Sequence, residues 1–156
     1  MLEAVKPINS GGSGDSPDPG LKTDLEKGKL AFKEKKWKEA IDHFKAAKPT
    51  TKKGKAEKQR GYAVALYFQK NASLKEKNKD SYELEEEYEL VVKELEKAWK
   101  MKDKLSTKAR DPAKYLAFIY KVSDAEDEMK DWAKAYLKEN RSKKKQFNNE
   151  LRSKKY

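Results

Sequence analysis

The 156-residue chain contains no cysteine and a single histidine, His43. The absence of cysteine excludes disulfide bonds, thiolate nucleophiles and cysteine-based zinc sites. His43 lies between Asp42 and Phe44, and the sequence suggests no second ligand for a metal ion. The chain also lacks a glycine-rich phosphate loop and a serine nucleophile flanked by glycines. We therefore predict no catalytic residue, no metal site, no cofactor and no enzymatic activity.

Long apolar runs are absent as well. No run approaches the roughly 20 residues that a membrane-spanning helix needs. The stretch that follows Met1 lacks the apolar core of a signal peptide. We expect a soluble protein whose location stays open: cytoplasmic, or periplasmic if a signal was removed.

The composition is dominated by charge, with 42% charged and 36% hydrophobic residues and a net charge of +11. So small an apolar fraction suits a thin helical stack whose elements touch only their neighbours. A basic balance permits nucleic acid or an anionic surface as a partner, but it does not select one.

Between Gly28 and Pro49, small and aromatic residues recur at helical spacing. They are Gly28, Phe32, Trp37, Ala40, Ile41, Phe44 and Ala47. We expect two short helices that meet near Lys35 and place these residues on facing sides. Small residues let two helix backbones approach, and aromatic rings fill the space between them.

This spacing resembles a tetratricopeptide repeat (TPR), a helix–turn–helix unit of 34 residues. Gly28 in the first helix and Trp37, Ala40, Phe44 and Ala47 around the second carry the resemblance. It implies an all-α fold of about three degenerate repeats, stacked as a short α-solenoid over residues 21–140. It also implies a scaffold for protein binding, whose partner the sequence does not name.

Capping signals predict where the first helices begin and end. Thr23 and Glu26 form a capping box that opens the first helix, and Pro49 ends the second. We expect a connecting loop over 49–54 and a third helix over 55–70. The polar stretch 71–80 is predicted to be an insertion.

Later in the chain, Asp80 or Ser81 is expected to cap a fourth helix that runs to about Lys104. Asp111 and the proline after it start a fifth helix. Ser123 and Glu126 are predicted to form the capping box of a sixth.

Five glutamates crowd the first turns of the predicted fourth helix: Glu83, Glu85, Glu86, Glu87 and Glu89. Such a cluster is a candidate for binding a cation. A solvated acidic face is the favoured interpretation, because carboxylates without shaping loops rarely make a selective site.

An internal shift supports the repeat. The set Val91, Leu95 and Ala98 recurs 34 residues later as Ala125, Met129 and Trp132. The step back to Ala40, Phe44 and Ala47 is longer, so we predict an enlarged middle unit.

In a TPR stack the first helix of each unit lines a concave groove, where family members bind extended or helical peptides. The resemblance therefore implies a set of groove residues from the three units: Lys29, Phe32 and Lys33; Lys58, Tyr62 and Ala65; Arg110, Lys114, Ala117 and Phe118. Cationic heads would pair with peptide carboxylates, and rings would supply apolar contact. The alternative is that these lysines are merely solvated and that binding uses the convex face or the chain end.

Residues 1–20 are too rich in glycine, serine and proline to pack a core. The run 11–14 resembles an engineered flexible linker, which suggests that residues 1–10 were joined artificially to a domain starting near Asp15. Two interpretations of residues 1–10 stay open. They are an expression tag, or a tethered partner peptide anchored by Leu2, Val5 and Ile8, with Pro7 favouring an extended form.

Residues 141–156 carry seven basic residues and one acidic residue. Phe147 and Leu151 lie four residues apart, which predicts a short capping helix over the last repeat. The alternative is a tail that binds nucleic acid or phosphate through Arg141, Lys143, Lys144, Lys145, Arg152, Lys154 and Lys155.

The sequence thus predicts a non-enzymatic adaptor that binds a short segment of a partner protein in the concave groove. Residues 1–10 are a candidate for that segment. Two alternatives stay open: a basic module for nucleic acid or an anionic surface, and a self-association module. In the latter, the terminal helix with Trp132 and Tyr136 would pair with its copy.

Overall fold

A computed structural model describes residues 22–75 and 79–154. Every regular element in these two ranges is helical, which confirms the all-α prediction. The helices are α1 (Asp24–Lys33), α2 (Trp37–Ala46), α3 (Lys52–Leu74), α4 (Ser81–Glu87), α5 (Glu89–Lys100), α6 (Pro112–Val122), α7 (Glu126–Glu139) and α8 (Lys144–Arg152).

The helices pack in a repeating order along the chain. Helix α1 packs on α2, α2 on α3, α3 on α5, α5 on α6, and α6 on α7. In addition α1 contacts α3, and α3 contacts α6. Each helix pair therefore packs against the next pair along the chain, and α1, α3 and α6 form one row.

The Phe44 ring of α2 packs between a glycine of α1 and a glycine of α3. A Cβ atom added to Gly28 of α1 would lie 2.8 Å from the Phe44 ring. One added to Gly61 of α3 would lie 2.7 Å from Cε1 of the same ring. Real Cβ atoms essentially never come this close, so the Phe44 ring needs a glycine on each of the two flanking helices.

Tyrosine and phenylalanine side chains link the row of α1, α3 and α6. Ring centroids are 6.2 Å apart between Phe32 and Phe68, 5.5 Å between Phe68 and Tyr115, and 6.0 Å between Tyr115 and Phe118. The ring of Phe147 in α8 stacks on Phe118 at 5.9 Å. Edge-to-face and offset contacts of this kind add to the stabilisation that burial alone provides.

The turns from α1 to α2 and from α6 to α7 have the same geometry. Lys35 and Asp124 both have positive φ angles, 61° and 58°. In each turn the next residue donates a backbone hydrogen bond five residues back, Lys36 to Ala31 (2.8 Å) and Ala125 to Tyr120 (2.9 Å). This is the helix-ending motif that favours a left-handed residue.

These two turns correct the predicted repeat register. Position 35 corresponds to position 124, so the residue equivalent to Ala40 in α7 is Met129, not Ala125. The predicted shift was therefore one helical turn off in the last unit. The same alignment puts Ala133 where the first unit has Phe44, so the ring-between-glycines arrangement is not repeated there.

Helix α3 is longer than predicted at both ends. It begins at Lys52, because the Thr51 hydroxyl caps it by accepting a hydrogen bond from the Gly54 amide at 2.9 Å. It ends at Leu74, whose side chain is buried. The predicted loop 49–54 and insertion 71–80 are thus partly helical.

The predicted fourth helix is interrupted and short. Tyr88, with φ −92° and ψ 3°, separates α4 from α5, and α5 ends at Lys100. Residues 101–111 form a connection with two 3-10 turns, Lys102–Lys104 and Thr107–Ala109.

Capping predictions had mixed outcomes. Thr23 and Glu26 form the predicted box, with the Glu26 carboxylate accepting from the Thr23 amide at 3.0 Å. The box predicted at Ser123 and Glu126 is wrong, since Ala125 is the N-cap of α7 and Ser123 ends α6.

Candidate peptide-binding groove

A depression of about 160 Å³ lies between α1, α3 and the connection 101–111. We call it the α1–α3 groove. Its lining consists of Lys29, Phe32, Phe44, Glu57, Arg60, Gly61, Leu105 and Ala109. Ligand pockets for whole small molecules are typically about 300–1,000 Å³, so this depression has room for one side chain of a larger ligand.

One wall of the groove is an ion pair that joins α3 to the start of α6. The guanidinium of Arg60 donates from Nε to Asp111 Oδ1 at 3.0 Å and from Nη2 to Oδ2 at 2.7 Å. It also lies 5.3 Å from the centre of the Phe32 ring. Burial acts to lower the pKa of Arg60, but the hydrogen bonds and charge of Asp111 outweigh it and raise that pKa above its ordinary value.

The opposite rim carries a looser ion pair. Lys29 Nζ lies 2.9 Å from Glu57 Oε1, and half of the Lys29 side chain is exposed. Ion pairs this exposed contribute only about 0–1 kcal/mol to stability. An incoming carboxylate can therefore replace Glu57 at Lys29 at small cost, and Lys33 is exposed one turn further along α1.

The connection 101–111 forms the third wall, and it is held at several points. Leu105 is buried, and its carbonyl accepts a hydrogen bond from Arg110 Nε at 3.1 Å. Arg110 Nη1 also donates to Glu139 at 3.2 Å. Asn140 Nδ2 donates to the Arg110 carbonyl at 2.9 Å. These bonds keep Leu105 and Ala109 in place beside α3.

Two predicted groove residues, Lys29 and Phe32, line the depression, and the three from the second unit do not. Lys58 donates to the carbonyl of Ala47 at 2.6 Å, so it caps the end of α2. Tyr62 packs against the core between α1 and α2, and Ala65 is fully buried in that core. Arg60 takes the place in the groove that was predicted for these residues.

Helix α8 covers two of the predicted residues of the third unit, Lys114 and Phe118. Lys114 pairs with Glu150 of α8 at 3.3 Å, and Phe118 is buried beneath Phe147. Lys154 Nζ lies 4.4 Å from the centre of the Phe118 ring. Ala117 is buried as well, and Arg110 holds the connection instead of facing an open surface. The groove therefore does not extend over α6.

Helix α8 concerns two further predictions, the short capping helix and self-association through Tyr136. Residues 144–152 form the short helix predicted over the last unit, and Phe147 is its buried anchor. Its ring lies 4.7 Å from that of Tyr136, which is buried too. Tyr136 therefore has no surface to offer a second copy of the chain.

Residues 1–10 lie outside the described ranges, so the predicted ligand positions Leu2, Val5, Pro7 and Ile8 have no structural account. Of the residues that the structure covers, no three acidic or histidine side chains are grouped to hold a metal ion. His43 Nδ1 lies 3.4 Å from Asp24 Oδ1 at the surface between α1 and α2. Within the described ranges, no helix has the length and apolarity to cross a bilayer.

No local sequence pattern indicated that Arg60, Leu105 and Ala109 line the groove. Arg60 and Asp111 are 51 residues apart, and Leu105 stands in a polar, lysine-rich stretch. In comparisons with known proteins, no family model, curated protein or solved structure matches the chain.

Proposed function

We propose that this chain is a non-enzymatic, TPR-like scaffold that binds a short segment of a partner protein in the α1–α3 groove. The observation that carries the proposal is the groove itself. It is an open depression on the row of first helices, with an aromatic floor at Phe32 and an exchangeable lysine at its rim.

Three features support the TPR-like architecture. The helices pack in alternating order, with α1, α3 and α6 in one row. The turns at Lys35 and Asp124 have similar positive φ angles, 61° and 58°. The Phe44 ring fits between Gly28 and Gly61, which is the small-against-large packing that the resemblance implies.

The groove favours a particular kind of segment. An apolar side chain would rest on the Phe32 ring between Arg60 and Leu105. A carboxylate next to it in the partner would pair with Lys29 and Lys33. Lys29 is available for this pairing because the Glu57 carboxylate is the only described partner of its ammonium. Charge-assisted hydrogen bonds of this type are stronger than neutral ones. A groove held by the Arg60–Asp111 pair also loses little conformational freedom when the segment binds.

A space-filling substitution tests the proposal. Short random peptides displayed on phage are selected on the full chain, and the enriched peptides are titrated by calorimetry. Ala109→Trp should fill the depression from the connection, where the side chain is only partly buried. We expect at least a tenfold loss of affinity, or about 1.4 kcal/mol.

The matched control is Ala72→Trp, on an exposed position of α3 away from the groove. It should bind the selected peptides as the unsubstituted chain does. If no peptide is enriched, or if both tryptophan variants bind equally well, the groove is not the binding surface.

Residues 1–10 are proposed as one such segment, with Leu2, Val5 and Ile8 as apolar anchors. A flexible linker can raise local concentration to about millimolar, which compensates for weak affinity. The free peptide MLEAVKPINS should compete with the selected peptides, and less so when its three anchors are alanine. No competition at millimolar peptide would leave the segment a tag.

Binding of nucleic acid or an anionic surface remains the alternative proposal. Lys52, Lys53 and Lys55 stand in the first turn of α3, where positive charge opposes the helix dipole and no acidic residue offsets it. Affinity for generic RNA that falls steeply with salt would favour this alternative. Binding of the selected peptides without affinity for generic RNA would favour the scaffold.

A further inference from the structure

A second, larger depression of about 410 Å³ lies between α4, the start of α5 and the end of α6. We call it the acidic groove. It is lined by Tyr82, Glu85, Glu86, Glu89, Val92, Ile119 and Tyr120. None of these residues lines the α1–α3 groove, so the two are separate surfaces.

The walls of the acidic groove are apolar and aromatic. Tyr82 is 65% exposed, the largest exposure of any large hydrophobic side chain in the described ranges. Tyr120 stands opposite on α6, with Val92 between them on α5. Exposed apolar side chains that share one depression, unlike single scattered ones, are typical of an interaction surface.

The rim is acidic. Among the described residues, none forms an ion pair with Glu85, Glu86 or Glu89. Their neighbour Glu87, by contrast, is held by Lys70 at 3.2 Å and Lys79 at 3.1 Å. The pKa of Lys79 is raised mainly by its hydrogen bond to Glu87 and also by the charge of Glu86. Three carboxylates without an ion pair therefore stand together on the rim, in a chain whose net charge is +11.

Carboxylates of three helices act on the same wall. Burial raises the pKa of Tyr120, and the charges of Glu96, Glu128 and Glu85 raise it further. These residues belong to α5, α7 and α4 in turn. The negative potential is therefore a property of the folded groove and not of one acidic stretch of sequence.

We infer that the acidic groove binds a lysine- or arginine-bearing segment of a partner protein. The aliphatic stem lies along Val92, which is partly exposed, and the cationic head meets the rings of Tyr82 and Tyr120 and the carboxylates of the rim. Long basic side chains bury their stems on apolar surface in this way, and cation–π contact adds about 0.5–2 kcal/mol. The charge of the groove selects this partner over the acidic segment proposed for the α1–α3 groove.

The test uses a fluorescein-labelled peptide that alternates arginine with alanine, and the full chain. Binding is followed by fluorescence anisotropy at low ionic strength. The overall charge of +11 repels such a peptide, so binding reports a local site. A companion peptide with glutamine in place of arginine should not bind.

Two variants address the groove, and both change exposed positions. We expect the triple variant E85Q/E86Q/E89Q to bind the arginine peptide at least tenfold more weakly, and Y82A several-fold more weakly. The control triple E39Q/D42N/D103N removes the same number of charges from exposed positions elsewhere. The control triple and Ala109→Trp should bind as the unsubstituted chain does, even if the α1–α3 groove binds no peptide.

Three outcomes would overturn the inference. The first is equal loss of binding in the two triple variants, which would indicate a diffuse charge effect. The second is binding of the glutamine companion with similar affinity. The third is a dimer, seen in sedimentation, that only E85Q/E86Q/E89Q dissociates, which would make a second copy the occupant.

Discussion

The two halves of this molecule build their cores by different means. The first helix pair has one fully buried ring, Phe44, enclosed by Gly28 and Gly61, and its other rings, Phe32 and Trp37, are only partly buried. The later helices rely on many rings, with Tyr67, Tyr88, Tyr115, Phe118 and Phe147 all buried. Close backbone approach stabilises the first half, and aromatic contact stabilises the second.

The difference bears on where a binding surface can remain open. Phe32 at the first pair is only partly buried, and it lines the α1–α3 groove beside the connection 101–111. At the last pair, α8 covers Lys114 and Phe118. The same row of helices is therefore accessible at one end and covered at the other.

Removing one ring from each half tests whether the two cores differ. Phe44→Ala should destabilise the fold by about 3–5 kcal/mol, as expected for a fully buried phenylalanine. Chemical unfolding followed by circular dichroism measures the loss. Phe147→Ala deletes an equally buried ring, but from a terminal helix.

For Phe147→Ala we expect a smaller loss of global stability and local release of α8. Hydrogen exchange should show that the amides of α8 lose protection while those of α3 keep theirs. Equal costs for the two alanine variants would mean that the halves do not differ.

The next largest effect is expected at the ion pair that joins the halves. Removing one partner of a buried pair leaves an uncompensated charge. Arg60→Ala or Asp111→Ala should each lower the free energy of unfolding by about 3 kcal/mol. This is the lower end of the range for buried ion pairs, because both side chains keep some exposure. The double variant should cost clearly less than the sum of the two, and strict additivity would show that the pair does not couple α3 to α6.

A smaller effect on stability is expected at Gly61 in the first half. Gly61→Ala pushes a methyl group into the Phe44 ring and should cost about 1–3 kcal/mol, despite the higher helix propensity of alanine. In a Phe44→Leu background the cost of Gly61→Ala should shrink, because the shorter side chain makes room. An unchanged cost would show that the ring is not what requires Gly61.

The smallest effect concerns pH and the second half. Hydrogen bonds from Lys79 and Lys70 lower the pKa of Glu87 below its ordinary 4.5. A lowered carboxylate pKa stabilises the fold above the ordinary value, and this contribution disappears as the pH falls through the folded value. Glu87→Gln should therefore lower stability slightly at neutral pH and reduce its loss on acidification below about pH 4.5. An equal loss of stability on acidification in the two proteins would contradict this.

Local signals predicted the first half well. Thr23 and Glu26 cap α1 as expected, and Trp37 begins α2. These features depend on residues a few positions apart, so the sequence displays them directly. Gly28 facing Phe44 followed from helical spacing alone.

The later helix boundaries were predicted less well. Gly54 was placed in a loop because the local cap at Thr51, three residues earlier, was missed. The polar stretch after Lys70 extends α3 because Leu74 is buried in the core. No local pattern places the break at Tyr88, since the apolar stripe continues across it.

The candidate groove was predicted in part. Lys29 and Phe32 followed from the face of α1. Arg60 was missed, because its partner Asp111 is 51 residues away and a lysine-rich surface gives arginine no distinctive pattern. Phe118 was misplaced because its cover, α8, is separated from it by the whole of α7.

The central claim is that the row of α1 and α3 takes up a protein segment beside the connection 101–111. The most direct measurement is amide chemical-shift mapping of the full chain as a phage-selected peptide is added. The account predicts that the largest shifts fall on Lys29, Phe32, Arg60, Leu105 and Ala109. Shifts concentrated on α7 and α8, with these five residues unmoved, would contradict it.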